Sequence, residues 1–466
     1  MAVSAPSGFR ALPLSVTQLS LAAVLQCGQS FRWNIFPLLV EPCVTPGYPT
    51  PTYEYRLCLR DRVVCLRQSP ENLFYRSVFP DPLVPRDSRE NDQREAETLA
   101  WIRDYFQLDV DLVKLYEQWA QRDPVFLNCK ERFAGIRMLR QDPFENLISF
   151  ICSSNNNISR ITKMVKALCQ HYSPALMTIP SPSTPQDTSG KPPGTDLPSP
   201  EAYYPFPPPS VLAGQDVAAT LRTLGFGYRA EFIQKTAKML VDANGSSKQG
   251  HTAVEPAEEW LQTLREVPTT EARTELLKFV GVGRKVADCI LLMSLDKNEV
   301  IPVDTHVHQI AMKHYGVSGS LKGKSAMTPK LYDEVSTRLS ALWGEYAGWA
   351  HSVLFTSDLK SFATYGLPSP SPTPLVQTES VRISRKTKTA LPTPPLTSSP
   401  NESENKRKRG RLTRDLASTK VQVPVEKQDH SGYFPPDEST LPVYDDNSLN
   451  LADRVKRRRR VKAVEV

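Results

Sequence analysis

The chain has 466 residues, 57 Lys and Arg against 50 Asp and Glu for a formal charge of +7, and 40% hydrophobic residues, enough for two domains with a buried core. Eight cysteines lie scattered without a Cys-x-x-Cys pair, which reads as reduced thiols and argues against a disulfide frame or a zinc site. No run is long enough to cross a membrane, and the first 30 residues, with Arg10 their only charge, resemble neither a signal peptide nor a strong mitochondrial presequence.

From about residue 10 to 110, apolar and polar residues alternate. Tyr53 to Leu59 and Val63 to Leu66, around the Arg60-Asp61-Arg62 turn, predict an antiparallel hairpin in a small sheet. Residues 1–110 are therefore assigned to an N-terminal sheet-containing domain. From 111 to about 366 the period becomes helical, with helices expected over Pro143 to Ser153, Asn157 to His171, Asp216 to Leu224, Arg229 to Ala243 and Lys330 to Leu342. Within this helical domain, residues 179–210 form a Pro/Ser/Thr-rich insert, read as a surface loop without fixed structure. The whole predicts an α+β fold: an antiparallel β-sheet domain, then an α-helical domain, then a disordered tail over 367–466.

That tail holds about 19 Lys and Arg and about 12 Asp and Glu, so it carries the whole positive excess. Its clusters Lys406-Arg407-Lys408-Arg409 and Lys456-Arg457-Arg458-Arg459-Arg460 read as nuclear-import signals, recognised by import machinery, that also add nonspecific phosphate affinity. A solvated stretch without function is the alternative. The expected address is the nucleus, with a mitochondrial location left open.

The richest stretch is Leu276 to Cys289, followed by Pro302 to His306. The apolar run Leu276 to Val280 reads as a helix that stops at Gly281, and a second helix begins at Arg284. Free N–H groups at that start, with the helix dipole and no side chain at Gly281 or Gly283, suit a phosphate oxygen. Lys285 and Cys289, four residues apart, share one face of the second helix. A lysine amine is a nucleophile toward an electrophilic sugar carbon once deprotonated, which burial or a neighbouring cation promotes. Val300 to Val303 reads as a strand-like run ending at Asp304, which caps a helix through Val307, Ile310 and Ala311 and supplies a carboxylate. Taken singly, these residues are a turn, a solvated cation and a cap.

Taken together, the run Val280 to Cys289 with Pro302-Val303-Asp304 resembles the helix-hairpin-helix glycosylase superfamily, in particular its eukaryotic 8-oxoguanine DNA glycosylase/lyase branch. Gly28 to Trp33, Ser153 to Ile158 and Gly344 to Phe355 are similar to further blocks of that branch, in order over about residues 10–362. The resemblance implies a bifunctional glycosylase and abasic-site lyase, with no cofactor and no metal-ligating side chains, acting as a monomer on damaged double-stranded DNA; it leaves open a cation bridging the Gly281/Gly283 turn to a phosphate. It implies Lys285 as nucleophile and Asp304 as the carboxylate that steadies charge on the sugar. It implies a base pocket of Gly28, Cys289, Met293, His351 and Phe355. Asn155, Arg160, Tyr228 and Arg229 would serve the opposite base and the wedge, and Gly281, Val282, Gly283 and His306 the DNA backbone.

Such an enzyme must flip the base out of the duplex and fill the hole. Arginine donors suit cytosine O2 and N3, and an aromatic ring suits a kinked step. By residue type alone, Asn155 to Asn157 equally read as helix caps, Tyr228 as a packed turn aromatic, and Phe355 and Met293 as core. The implied Gly28 carbonyl would accept the N7 hydrogen that 8-oxoguanine has and guanine lacks, a mismatch costing on the order of 1–3 kcal/mol. One position departs from the family pattern: His351 stands where glutamine is usual. If it touches the base edge, excision should show a pH inflection near roughly 6.5, where an unperturbed histidine titrates. An adenine or thymine-glycol glycosylase would carry a four-cysteine cluster after the helical domain, absent here, and an alkyl-base enzyme would lack the lysine. A DNA-damage binding protein on the same scaffold is the non-enzyme alternative.

Overall fold

The computed structural model describes residues 5–38, 51–80, 88–182, 200–245, 254–317 and 327–367. Most of the tail assigned to 367–466 lies outside the described residues, as do both of its basic clusters. The strands β1 (Arg10–Pro13), β2 (Asn34–Pro37), β3 (Tyr53–Cys58), β4 (Val63–Gln68) and β5 (Asn72–Val78) form one antiparallel sheet in the order β1-β5-β4-β3-β2. The expected hairpin is β3–β4, with Tyr55 opposite Leu66 and Leu57 opposite Val64. Those four side chains, with Leu73 and Tyr75 of β5, join the main helical core, while Cys58, Val63, Cys65 and Phe74 face the other way.

That second face is also covered. β6 (Met177–Ile179) and β7 (Glu201–Tyr203) pair as a two-stranded ribbon, and Ile179 and Tyr203 pack on Phe9, Cys65 and Phe74. The insert taken as structureless thus begins in the ribbon at Ile179, contains β7, and ends in a helical turn at Pro209 and Ser210; residues 183–199 lie outside the described ones. Apolar residues flanking a proline-rich stretch had an open sheet face to bury against, and burial outweighed the local composition. Glu54, wholly buried on the same sheet, binds Arg56 at 2.6 Å and Arg67 at 2.7 Å, and Arg56 donates to the Pro180 carbonyl at 2.8 Å. This ties the ribbon down.

The helices in chain order are α1 (Leu21–Val24), α2 (Ser88–Tyr105), α3 (Leu112–Arg122), α4 (Pro124–Cys129), α5 (Pro143–Ile151), α6 (Ile158–Tyr172), α7 (Pro209–Leu212) and α8 (Val217–Thr223). They continue with α9 (Arg229–Asn244), α10 (Pro256–Thr263), α11 (Thr269–Leu276), α12 (Arg284–Ser294), α13 (Thr305–His314), α14 (Pro329–Trp343) and α15 (Ala347–Asp358). The five expected helices appear as α5, α6, α8, α9 and α14, each within two residues of the predicted ends. Side-chain caps explain the sharp starts: Asp142, Asn157 and Thr328 accept the N–H of the third helical residue of α5, α6 and α14.

Three expectations are corrected. The 18-residue helix α2 lies inside the stretch assigned to the sheet domain. The helix before Gly281 ends at Leu276; Phe279 and Val282 instead close tight turns onto the carbonyls of Leu276 and Phe279. Val300 to Val303 joins no strand: its apolar side chains are buried, and the Val303 N–H goes to the Tyr332 hydroxyl. The main core is continuous from the sheet through α2 into the helical domain, spanning Leu19 to Phe362.

Candidate active site and nucleic-acid interface

Helix α12 is apolar over most of its surface and wholly buried from Val286 to Ser294, so the partly exposed Lys285 stands at the edge of the core. Its amine lies 5.2 Å from the centre of the Phe150 ring and donates to Ser153 Oγ at 3.4 Å. Ser153 in turn donates to the Phe150 carbonyl at 2.7 Å, leaving its lone pairs for the lysine. The nucleophile candidate is therefore tethered to the end of α5, where the Asn155 loop begins. Neither Phe150 nor Ser153 was singled out from sequence as a lysine contact, since both look like ordinary members of an apolar helix end.

Asp304 is the expected cap: its Oδ1 accepts the N–H groups of His306 at 2.9 Å and Val307 at 3.0 Å. Cys289 is buried one turn beyond Lys285. Burial pushes its thiol up to about 11, with Lys285 pulling it down and Asp304 pushing it further up. It is thus a neutral packing group. His351, buried on α15, feels the same two charges. Burial pushes its imidazole down to about 4, against the pull of Asp304 and with the help of Lys285. Neither ring nitrogen has a well-formed hydrogen bond. The pH inflection expected near 6.5 is therefore displaced well to the acid side.

Phe355, half-buried one turn after His351, has its ring 6.0 Å from that imidazole and 5.9 Å from the exposed His306 ring. His306 Nδ1 lies 3.4 Å from Asp358. Met293 is buried, and its carbonyl accepts the Gln141 N–H at 2.8 Å. Gly28 has φ +92°, and a side chain there would meet Ile158 at 2.8 Å. The Gly28 turn is fixed by Gln29, which donates to the Arg137 carbonyl, accepts from the Leu139 N–H, and through its own carbonyl binds the Gln141 side chain. Gln29 and Gln141 thereby join the Gly28 turn to α12. Sequence reasoning missed both, although Gln29 sits within the quoted Gly28 to Trp33 block.

The Asn triplet divides its work. Asn157 caps α6 and Asn156 donates to the Cys152 carbonyl at 2.8 Å, whereas Asn155 is exposed with a left-handed backbone, φ +47°. Tyr228 is half exposed, its hydroxyl donating to the Ser154 carbonyl at 3.1 Å. Arg160 is exposed and reaches the Gly225 carbonyl at 3.3 Å. Arg229 differs from expectation: it is only 3% exposed, and its guanidinium is spent on the carbonyls of Ser154, Asn155 and Phe226. It holds the loop that carries Asn155.

At the hairpin, Gly281 has φ +81°, and a side chain there would overlap the Phe232 ring at 2.5 Å; Gly283 has nothing within 4 Å. The two glycines serve different ends, one internal packing and one open approach. The Val282 N–H is used within the turn, while α12 starts at Gly283 without a side-chain cap. Thr236 of α9 donates to the Val280 carbonyl at 3.0 Å, bolting the hairpin to the helix that begins with Tyr228 and Arg229. A cavity of about 310 Å³ lined by Tyr53, Tyr55, Phe362 and Tyr365 contains none of these site residues.

A hairpin ending in an uncapped helix, an amine on that helix and a carboxylate at the start of the next define a helix-hairpin-helix DNA glycosylase. Residues 11–147 match the 8-oxoguanine DNA glycosylase N-terminal domain, and residues 148–335 match the HhH-GPD superfamily of base excision DNA repair proteins. The N-glycosylase/DNA lyase of Saccharomyces cerevisiae is 33% identical over 366 residues, covering 75% of this chain and 86% of that protein. The N-glycosylase/DNA lyase OGG1 of Arabidopsis thaliana is 33% identical over 356 residues, covering 76% and 81%. Among solved structures, MBOgg1 in complex with a low-affinity DNA ligand aligns with a TM-score of 0.52 at 26% identity, over 76% of this chain and 96% of that one. The fold also matches Clostridium acetobutylicum 8-oxoguanine glycosylase/lyase in complex with double-stranded DNA containing cytosine opposite 8-oxoG, with a TM-score of 0.53 at 23% identity, over 76% and 97%. The chain belongs to the eukaryotic 8-oxoguanine DNA glycosylase/lyase family, and it is a base-excision-repair glycosylase with lyase activity.

Proposed function

We propose that this enzyme excises 8-oxoguanine opposite cytosine and then nicks the strand through a Schiff base on Lys285. The observation that carries the reading is the Lys285 amine at the edge of the core, tethered to Ser153 and one turn from Cys289, with its charge and that of Asp304 both felt at His351. The unprotonated amine attacks C1′ of the flipped nucleotide, and the bond from C1′ to the base breaks with its electron pair leaving on the base. Loss of a proton from the nitrogen and opening of the sugar ring give the iminium. Removal of a C2′ proton then expels the 3′ phosphate.

In this reading Asp304 steadies positive charge on the sugar while its backbone contacts hold it at the start of α13. Cys289 and Phe355 take the faces of the base, Met293 lines the pocket, and the Gly28 carbonyl accepts the N7 hydrogen. His351, neutral, meets the Watson–Crick edge. Asn155 fills the vacated stack, Tyr228 wedges the duplex, and Arg160 and Arg229 read the orphaned cytosine, Arg229 after leaving its loop carbonyls. The Gly281-Val282-Gly283 turn and His306 hold phosphates. The chain works as a monomer on damaged duplex DNA, without a cofactor.

The decisive experiment is single-turnover excision from duplexes with 8-oxoguanine opposite each of the four bases. Cytosine should be fastest, and equal rates against all four would contradict the opposite-base assignment. The tail clusters at 406–409 and 456–460 are proposed as the nuclear address. Truncation after Gly366 should leave excision intact and reduce nuclear accumulation, and unchanged accumulation would remove that role.

A further inference from the structure

Behind the site runs a buried polar relay. Tyr332 of α14 is 4% exposed, and its hydroxyl accepts the N–H of Val303, the residue before Asp304, at 3.1 Å. The same hydroxyl donates to Asp288 Oδ2 at 2.6 Å. Asp288 lies three residues after Lys285 on α12 and is itself 1% exposed; its other oxygen accepts from Arg273 of α11 at 2.7 Å. Arg284, the residue before Lys285, lays its guanidinium 4.5 Å from the centre of the Tyr332 ring and pairs with Asp333 at 2.5 Å.

Buried polar groups are costly unless partnered, and here each partner sits on a different element. Val303 lies in a segment with no strand neighbour, and its N–H is tied to the helices through this hydroxyl. The same hydroxyl, bonded to Asp288, links the helix that carries Lys285 to the peptide that carries Asp304.

We propose that Tyr332 is a positioning residue for the reaction: it touches neither DNA nor base, and it holds Lys285 and Asp304 in the relative placement that attack at C1′ requires. The inference rests on the assignment of Lys285 and Asp304 given above. Tyr332→Phe keeps the ring and the Arg284 stack while leaving the Val303 N–H without an acceptor and Asp288 Oδ2 without its hydroxyl donor, Asp288 Oδ1 still held by Arg273. Misplacement of reacting groups by about 1 Å costs on the order of a hundredfold in rate.

The test uses the full-length protein, well below its unfolding temperature. It measures single-turnover base release from an 8-oxoguanine duplex, the rate of borohydride trapping on an abasic-site duplex, and affinity for a duplex carrying a tetrahydrofuran abasic analogue. Tyr332→Phe should slow release and trapping by roughly ten- to a hundredfold while affinity stays within about twofold. A purely structural tyrosine would lower the unfolding temperature and leave both rates unchanged. Unchanged rates, or rates that fall only in step with affinity, would overturn the proposal. Should Tyr332→Phe not fold, Asp288→Ala takes its place, because it removes the acceptor that orients the Tyr332 hydroxyl toward the Val303 N–H; the same slowing at unchanged affinity is expected, and wild-type rates would overturn the proposal. Lys285→Gln is run in parallel. Trapping by that variant would remove the nucleophile assignment itself and with it this inference, whereas normal rates for Tyr332→Phe beside an inactive Lys285→Gln would remove the positioning role alone.

Discussion

Arg229 Nη2 donates to the Asn155 carbonyl at 2.9 Å, so the arginine expected to read the orphaned base is engaged with the loop that would fill the gap. Its guanidinium also binds the Ser154 carbonyl, to which Tyr228 donates as well. The loop, the wedge and the arginine are one hydrogen-bonded unit; on the proposed reading, binding opposite cytosine exchanges these internal contacts for contacts to the base.

Replacing Arg229 by alanine should therefore do two things. It leaves loop carbonyls short of a donor at a cost of roughly 1–3 kcal/mol, lowering the unfolding temperature. It should also flatten the preference for cytosine across the four opposite bases. A variant that loses stability but keeps the full preference would confine Arg229 to the loop.

The two hairpin glycines should separate in their effects. Gly281→Ala drives a methyl into Phe232 at a positive φ and should lower stability by roughly 1–3 kcal/mol. Gly283→Ala enters open space at φ −86° and should leave the unfolding temperature almost unchanged. Its methyl would stand in the path of a phosphate approaching the start of α12, so DNA affinity should fall by roughly tenfold, the equivalent of about 1.4 kcal/mol. Identical melting and affinity changes in the two variants would contradict this division.

His351 makes a pH prediction. The folded protein holds its imidazole neutral, with the pKa pushed down to about 4 by burial, whereas an unfolded chain takes up the proton near 6.5. Its share of stability is thus complete above about pH 6.5 and is lost as pH falls toward 4. At pH 5 the loss is about 2 kcal/mol. His351→Gln should melt with a smaller drop between pH 7.5 and pH 5 than the native chain. Between pH 6 and 8 the excision rate should carry no inflection from this residue. Equal melting drops would show that the fold does not lower the proton affinity of this imidazole.

Much of this was legible in the sequence because local chemistry dictated it. Caps at Asn157 and Asp304, and alternation over Tyr53 to Leu66, need only near neighbours. What escaped depended on contacts distant in sequence. Helix α2 buries few residues and shows weak apolar periodicity, so its pattern did not stand out after the last strand of the sheet. The β6–β7 ribbon exists because the outer sheet face needs cover. Arg229 reads as a DNA contact by motif, and only the fold reveals the carbonyls that occupy it. Tyr332, 47 residues after Lys285, offers no signal in the sequence that it fixes the Val303 peptide.

The central claim is that the Lys285 amine is the nucleophile. Full-length Lys285→Gln should be incubated with an 8-oxoguanine:cytosine duplex and with an abasic-site duplex in the presence of borohydride, and compared with the native chain. Because the amide keeps the length and polarity of the side chain at the edge of the core but has no attacking lone pair, lesion-selective binding should persist while base release and the covalent adduct both vanish. A borohydride-trapped adduct formed by Lys285→Gln at the native rate would contradict the assignment.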